Sequence, residues 1–158
     1  MDILDEELLL LWKEFEINNF EYVIVGGFAT NLNGYSRMTA DLDVLIKNSL
    51  SNRKILRSVL NNLGHGDYPF VETSELVPGW TSIKLASGFE LDIMTSIKGF
   101  DESRFDELYN NASIAEIQNI KIPFLHINNL IEAKKASGRT RDLLDLEELI
   151  KIRNQNEH

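Results

Sequence analysis

The stretch from Tyr22 to Ile46, YVIVGGFATNLNGYSRMTADLDVLI, constrains the fold more than any other part of the chain. It opens on an apolar run rich in β-formers, Tyr22 to Val25, and breaks at Gly26-Gly27. A short helix is expected from Phe28 to about Asn33. The loop Gly34 to Thr39 follows and carries one cation, Arg37. Asp41-Leu42-Asp43 then leads directly into Val44-Leu45-Ile46, which reads as a second strand. Residues two apart on a strand face the same side. Asp41 and Asp43 therefore stand together, with Leu42, Val44 and Ile46 on the opposite face.

Two carboxylates so placed repel each other unless a cation sits between them. Hard oxygen ligands suit Mg²⁺, which usually takes one or two protein carboxylates plus substrate phosphates. Gly26 and Gly27 lack a Cβ, so backbone amides there can approach a phosphate closely. A helix start just after them would add its positive end. The glycines, the carboxylate pair and Arg37 together describe a site for a metal and a triphosphate. Two rival motifs fit less well. A dinucleotide fingerprint needs G-x-G-x-x-G, and GGFATN is not that. Phosphatases of the haloacid dehalogenase type use D-x-D with Thr or Val two places beyond the second Asp, where this chain has Leu45.

A glycine pair ending one strand and R-x-T-x-D-L-D opening the next resembles the nucleotidyltransferase superfamily. The pattern there is G-[GS], then D-x-[DE], then a third carboxylate on a later strand. The form GGxA…RxTxDxD is most similar to the AbiEii-like bacterial toxin nucleotidyltransferases and their small relatives. The lincosamide-modifying nucleotidyltransferases are less similar. The resemblance covers roughly Glu21 to Thr95. It implies an α/β (α+β) domain in which a small mixed sheet carries the three acids at one end and helices flank it. It implies a nucleoside triphosphate substrate and two Mg²⁺ ions, with Mn²⁺ as a substitute. Asp41 and Asp43 would hold both ions and Asp92 one of them. Gly26, Gly27, Arg37 and Thr39 would contact the nucleotide. A toxin would also imply an antitoxin partner.

The 158 residues suffice for one domain with a real core. With no cysteine, disulfides and thiolate metal sites are excluded. The acidic start, Met1-Asp-Ile-Leu-Asp-Glu-Glu, argues against a signal peptide, and the apolar run Leu8 to Trp12 is too short to span a bilayer. A cytoplasmic location is the expectation. A net charge of −9 disfavours a broad nucleic-acid-binding surface, which needs many Lys and Arg contacts to phosphate.

Taken in order, residues 3 to 18 read as a helix, with Leu4, Leu8, Leu11, Trp12 and Phe15 at helical spacing. A second helix is expected from a cap at Ser51 or Asn52 to Leu63, ending at Gly64. Phe70 to Thr73 reads as a short strand and Pro78-Gly79 as a turn. Trp80 to Ala86 and Phe89 to Met94 flank a two-residue turn, Ser87-Gly88. On the second arm Glu90 and Asp92 share a face, opposite Phe89, Leu91 and Ile93. Asp92 is the expected third carboxylate, with Glu90 as its competitor. Ser103 to Tyr109 reads as a helical turn or two. Ile114, Ile117, Ile120 and Ile122 suggest short strands, and Phe124 to Ile127 a further one containing a structural His126.

Asn128 or Asn129 is the expected cap of a helix ending at Gly138, with Glu132 completing a capping box. Thr140 would cap the last helix, with Leu143, Leu144, Leu146, Leu149 and Ile150 as its apolar residues. The run K-x-x-x-G-R-x-R-D-x-x-D, Lys134 to Asp145, resembles a C-terminal element of the same toxin-type relatives. That likeness places Lys134, Arg139 or Arg141 near the nucleotide's phosphates, while surface ion pairs and helix capping account for the same run without a ligand. The expected organisation is a catalytic sheet core over residues 1–98 and a mostly helical part over 99–158. The function expected is metal-dependent transfer of a nucleoside monophosphate to an RNA, protein or small-molecule acceptor. The competing readings are a non-catalytic nucleotide-binding module of the same fold and an acidic interaction protein.

Overall fold

The computed structural model describes residues 5–39, 41–73 and 80–157, with the backbone alone at Trp80. Its strands are β1 (Tyr22–Val25), β2 (Leu42–Ile46), β3 (Trp80–Lys84), β4 (Glu90–Met94), β5 (Ser113–Ile117) and β6 (Ile120–Phe124). They form one mixed six-stranded sheet in the order β3-β4-β2-β1-β6-β5. β1 runs antiparallel to β2 and parallel to β6, while β2 runs parallel to β4. Two antiparallel pairs, β3–β4 and β5–β6, complete the edges, so the sheet draws strands from both sides of residue 98.

The helices are α1 (Glu6–Ile17), α2 (Gly26–Leu32), α3 (Leu50–Asn62), α4 (Phe70–Thr73), α5 (Phe105–Asn111), α6 (Ile127–Ser137) and α7 (Thr140–Asn156). A 3₁₀ turn, Glu102–Arg104, leads into α5. Helix α1 starts where Asp5 accepts from the Glu7 amide, and it buries Leu8, Leu11, Trp12 and Phe15. These meet Phe20 and Tyr22 in an aromatic cluster, with Trp12 stacked 5.7 Å from Tyr22. All four residues of β1 are buried, as a central strand covered on both faces should be.

Several local expectations are corrected. Phe70–Thr73 is a helical turn, not a strand: Val71 and Glu72 donate back to the carbonyls of Tyr68 and Pro69. Helix α2 begins at Gly26, two residues before Phe28. Ser49, not Ser51 or Asn52, caps α3 by accepting from the Asn52 amide. Asn52 is buried, and its side chain bonds the Glu21 amide and the carbonyls of Glu21 and Lys47, tying the start of β1 to the end of β2. The β3–β4 turn is longer than two residues, because Leu85 donates to Phe89 and Gly88 to Leu85. The expected turn at Pro78-Gly79 and residue Leu4 lie outside the described residues.

Strand β6 ends at Phe124, and His126 is the N-cap of α6, with Nδ1 accepting from the Asn128 amide. That replaces the expected caps at Asn128 and Asn129. Helix α6 stops at Gly138 in the left-handed region, as expected. Helix α7 starts at Thr140, with Arg139 in the cap position and no side-chain cap. Leu143 and Leu144 are 52% and 61% exposed, while Asp142 and Asp145 are 3% and 1% exposed. The inner stripe of α7 is therefore Asp142, Asp145 and Leu149, at the helical spacing of three and four. The buried carboxylates are tolerated there because cations from α6 and the loop after α2 reach them.

Candidate active site

β1 delivers the chain to Gly26, whose φ of +67° lies in the left-handed region that favours glycine. A Cβ at Gly26 would lie 2.1 Å from Asp43 Oδ2. Only glycine lets the turn close over that carboxylate. Gly27 is equally tight: its Cβ would lie 2.5 Å from Thr39 Oγ1. The glycine pair thus seats two other parts of the motif directly. Thr39 Oγ1 in turn donates to the Asp41 carbonyl at 3.2 Å. The Arg37 amide donates to Asn31 Oδ1 at 3.1 Å, fixing the loop to α2.

The parallel pairing of β2 with β4 sets Asp43 opposite Asp92 and Leu42 opposite Leu91. Asp92 is only 8% exposed, and its Oδ1 is buried with no hydrogen-bond partner. Burial, then the charge of Asp92 and a hydrogen bond with it, raise the Asp43 carboxyl from an ordinary 3.8 to about 7. The charge of Asp41 adds to this rise, and that of Arg141 opposes it. Asp41 itself is exposed. Glu90 is half-buried and opposite Lys84 on β3, two residues short of Asp92. Register therefore brings Asp92, rather than Glu90, beside Asp43.

The pair suits a divalent cation. Its donors are hard oxygens, one of them buried and orphaned, and burial together with the neighbouring charge makes one proton hard to lose. Asp43 and Asp92 are the residues that would hold such an ion, with Asp41 adding charge from solvent. Among the described residues, no group of three His, Cys, Asp or Glu side chains closes into a ligand cluster.

Asp43 and Gly26 open onto a cavity of about 460 Å³. Its walls include Met94 and Ile97 from the sheet side, Leu130 and Ala133 from α6, and Arg139. Apolar walls with a few charged groups are the usual make-up of a small-molecule site. Lys134 lines the same cavity but is almost buried, 2.8 Å from Asp145 and 3.3 Å from Asp142. Arg139 Nε donates to Asp142 at 2.7 Å, although the side chain is 66% exposed. Arg37 Nε lies 3.0 Å from Asp145, an ion pair without hydrogen-bond alignment. Burial alone would push the Asp142 carboxyl up; hydrogen bonds from Arg139 and Ser137 and the charge of Lys134 outweigh it and hold the group at about 2.

The C-terminal run is thus one ionic network, and through Arg37 it grips the loop that carries Thr39. The run itself was visible in the sequence, and two carboxylates three apart among leucines were its signal. Lys98 and Ser96, which also line the cavity, carried no motif.

A two-carboxylate pair on adjacent parallel strands, set against a glycine turn and a nucleotide-sized cavity, defines the class as nucleotidyltransferase-like. Residues 1–155 match the family model described as "Nucleotidyltransferase of unknown function (DUF6036)", and the chain belongs to that family. No curated protein matches the sequence significantly. Among solved structures, the lincosamide antibiotic adenylyltransferase LnuA with bound lincomycin is 18% identical, with 96% of this chain and 99% of that chain covered and a TM-score of 0.63. A nucleotidyltransferase-like structure from Thermotoga maritima is 12% identical, with 91% and 90% covered and a TM-score of 0.55. The antibiotic-resistance factor ANT(2'')-Ia is 14% identical, with 96% and 89% covered and a TM-score of 0.54. At these identities the likeness establishes the fold. No helix among the described residues is long and apolar enough to cross a membrane.

Proposed function

We propose that this nucleotidyltransferase moves a nucleoside monophosphate from a nucleoside triphosphate to an acceptor hydroxyl, releasing pyrophosphate. The observation that carries the reading is the Asp43–Asp92 pair, with its orphaned oxygen and raised proton affinity, of which Asp43 lines the cavity and Asp92 lies buried beside it. Two Mg²⁺ ions, or Mn²⁺ in their place, would neutralise the phosphates and the attacking oxygen there.

The chain's own residues then have distinct tasks. Asp41 and Asp43 would hold the ions that accompany the triphosphate, and Asp92 the one nearest the acceptor. Asp92 takes the proton of the acceptor hydroxyl as the bond from its oxygen to the α-phosphorus forms and the bond to pyrophosphate breaks. Gly26 and Gly27 keep the strand end free of side chains beside the phosphates. Among the described residues Arg139 commits only its Nε, which leaves its outer nitrogens for phosphate. Lys134, Arg37 and Thr39 act mainly by holding that wall and the loop in place. The apolar walls suit a nucleobase.

The direct test incubates the protein with each labelled nucleoside triphosphate and Mg²⁺ and scores pyrophosphate release, with Asp43→Asn as control. Release that survives in the control refutes the reading. Nucleotide binding without release under any acceptor would make the protein a non-catalytic module. The acceptor is sought by mass spectrometry of RNA, protein and small molecules after induced expression. The motif likeness to AbiEii-like toxins supports extending the reading to a toxin held by an antitoxin. Growth arrest on expression, absent with Asp43→Asn, is the outcome that this extension requires.

A further inference from the structure

The groups lining the cavity differ in how far their charge is already spent. Lys134 is paired with both Asp142 and Asp145, and Arg139 with Asp142. Lys98 also lines the cavity, is exposed, and has no carboxylate partner among the described residues. It lies in the segment that leaves β4, and Arg139 lines the same cavity.

That segment is built to hold still. Ile97 and Phe100 exchange backbone hydrogen bonds at 3.1 and 2.9 Å, closing a tight turn with Lys98 and Gly99 at its tip. Gly99 has φ +88°, and a Cβ there would lie 3.0 Å from the Ala136 Cβ of α6. Arg104 donates to the Gly99 carbonyl at 3.2 Å and stacks 4.2 Å from the ring centre of the buried Phe100. One side of the turn is therefore fastened to α6 and the 3₁₀ turn, and Lys98 at its tip lines the cavity with its charge unpaired among the described residues.

We propose that Lys98 is a substrate-binding residue that contacts the triphosphate of the bound nucleotide in the cavity it shares with Arg139. The inference rests on the nucleotidyltransferase reading above. Cations beside Asp43 and Asp92 would share their charge with those carboxylates, and an unpaired ammonium on a rigid turn adds attraction for phosphate without breaking an existing ion pair. Lys is suited to phosphate as a compact point charge on a flexible stem.

Calorimetric titration tests it. Wild type, Lys98→Ala and Lys98→Arg are each titrated in Mg²⁺ with the preferred nucleoside triphosphate, the corresponding monophosphate and the nucleoside. Lys98→Ala should weaken triphosphate binding by roughly tenfold or more. Its affinity for the nucleoside should stay within about twofold of wild type, because no charged contact to the nucleoside is lost. Lys98→Arg should restore most of the loss, and Gly99→Val should reproduce it without removing the ammonium. Equal triphosphate affinity in wild type and Lys98→Ala overturns the role of Lys98 and leaves the nucleotidyltransferase reading standing. An equal loss for nucleoside and triphosphate also overturns it, in favour of contact with the base. A wild type that binds no triphosphate overturns both proposals.

Discussion

Removing one charge from the Asp43–Asp92 pair should stabilise the metal-free protein. Asp92→Asn is the cleaner perturbation, because its new amide can donate to the Asp43 carboxylate beside it. Raising a carboxyl from 3.8 to about 7 costs at most roughly 4 kcal/mol of folding free energy above pH 7, at about 1.4 kcal/mol per tenfold change in proton affinity. Burial is the largest cause and survives the substitution, so the share that Asp92 imposes is on the order of 1–2 kcal/mol. For a chain of this size that corresponds to a rise in Tm of roughly 3–6 °C. The sign follows from a folded-state pKa above the unfolded one. The penalty is absent below about 3.8, grows through the window up to about 7, and is complete above it. Thermal melts in chelator should therefore show the gain at pH 8 and lose it near pH 4. Added Mg²⁺ should raise the wild-type Tm at pH 8 more than that of the variant, since a ligand that binds only the folded state stabilises it. A variant that melts at or below wild type at pH 8 in chelator would refute the repulsive-pair argument.

Three further outcomes follow from the same geometry. In single-turnover assays beside calorimetry, Asp92→Asn should keep most of the Mg²⁺–nucleotide affinity and lose most of the transfer rate, while Glu90→Gln should change little; the reverse pattern would make Glu90 the third carboxylate. Lys134→Met should cost roughly 3–5 kcal/mol in denaturant melts, because Asp142 and Asp145 would be left buried without their shared partner, whereas the more exposed Arg139→Ala should cost only about 0–1 kcal/mol. Gly27→Ala should destabilise the protein by about 1–3 kcal/mol through the clash with Thr39, and Thr39→Gly should recover part of that loss in the double variant. Stability that is unchanged in Gly27→Ala would mean the loop moves freely away from α2.

The sequence by itself determined the elements whose cause is local. Alternation along Leu42–Ile46 and Glu90–Met94 put Asp43 and Asp92 on the polar face of their strands, and Gly138 ended α6 where a left-handed residue is needed. The motif around Gly26, Gly27, Asp41 and Asp43 was legible for the same reason, because its parts lie within one strand–turn–strand unit. Where several local signals competed, the reading failed: Ser49 outdid Ser51 as a cap, and His126 outdid the asparagines after it.

Only the tertiary structure decided which distant groups meet. The parallel register of β2 and β4 set Asp92, not Glu90, opposite Asp43, and strand alternation could not do so, because it places both on one face. The periodicity of α7 allowed either its leucines or its aspartates to face inward. The aspartates won because Lys134 and Arg37, from elsewhere in the chain, supply the charge that makes their burial tolerable. Lys98 came to line the cavity only when the turn of Ile97–Phe100 docked on α6. Local pattern records which way a side chain points. Long-range pairing, which no short window of sequence contains, settles what it points at.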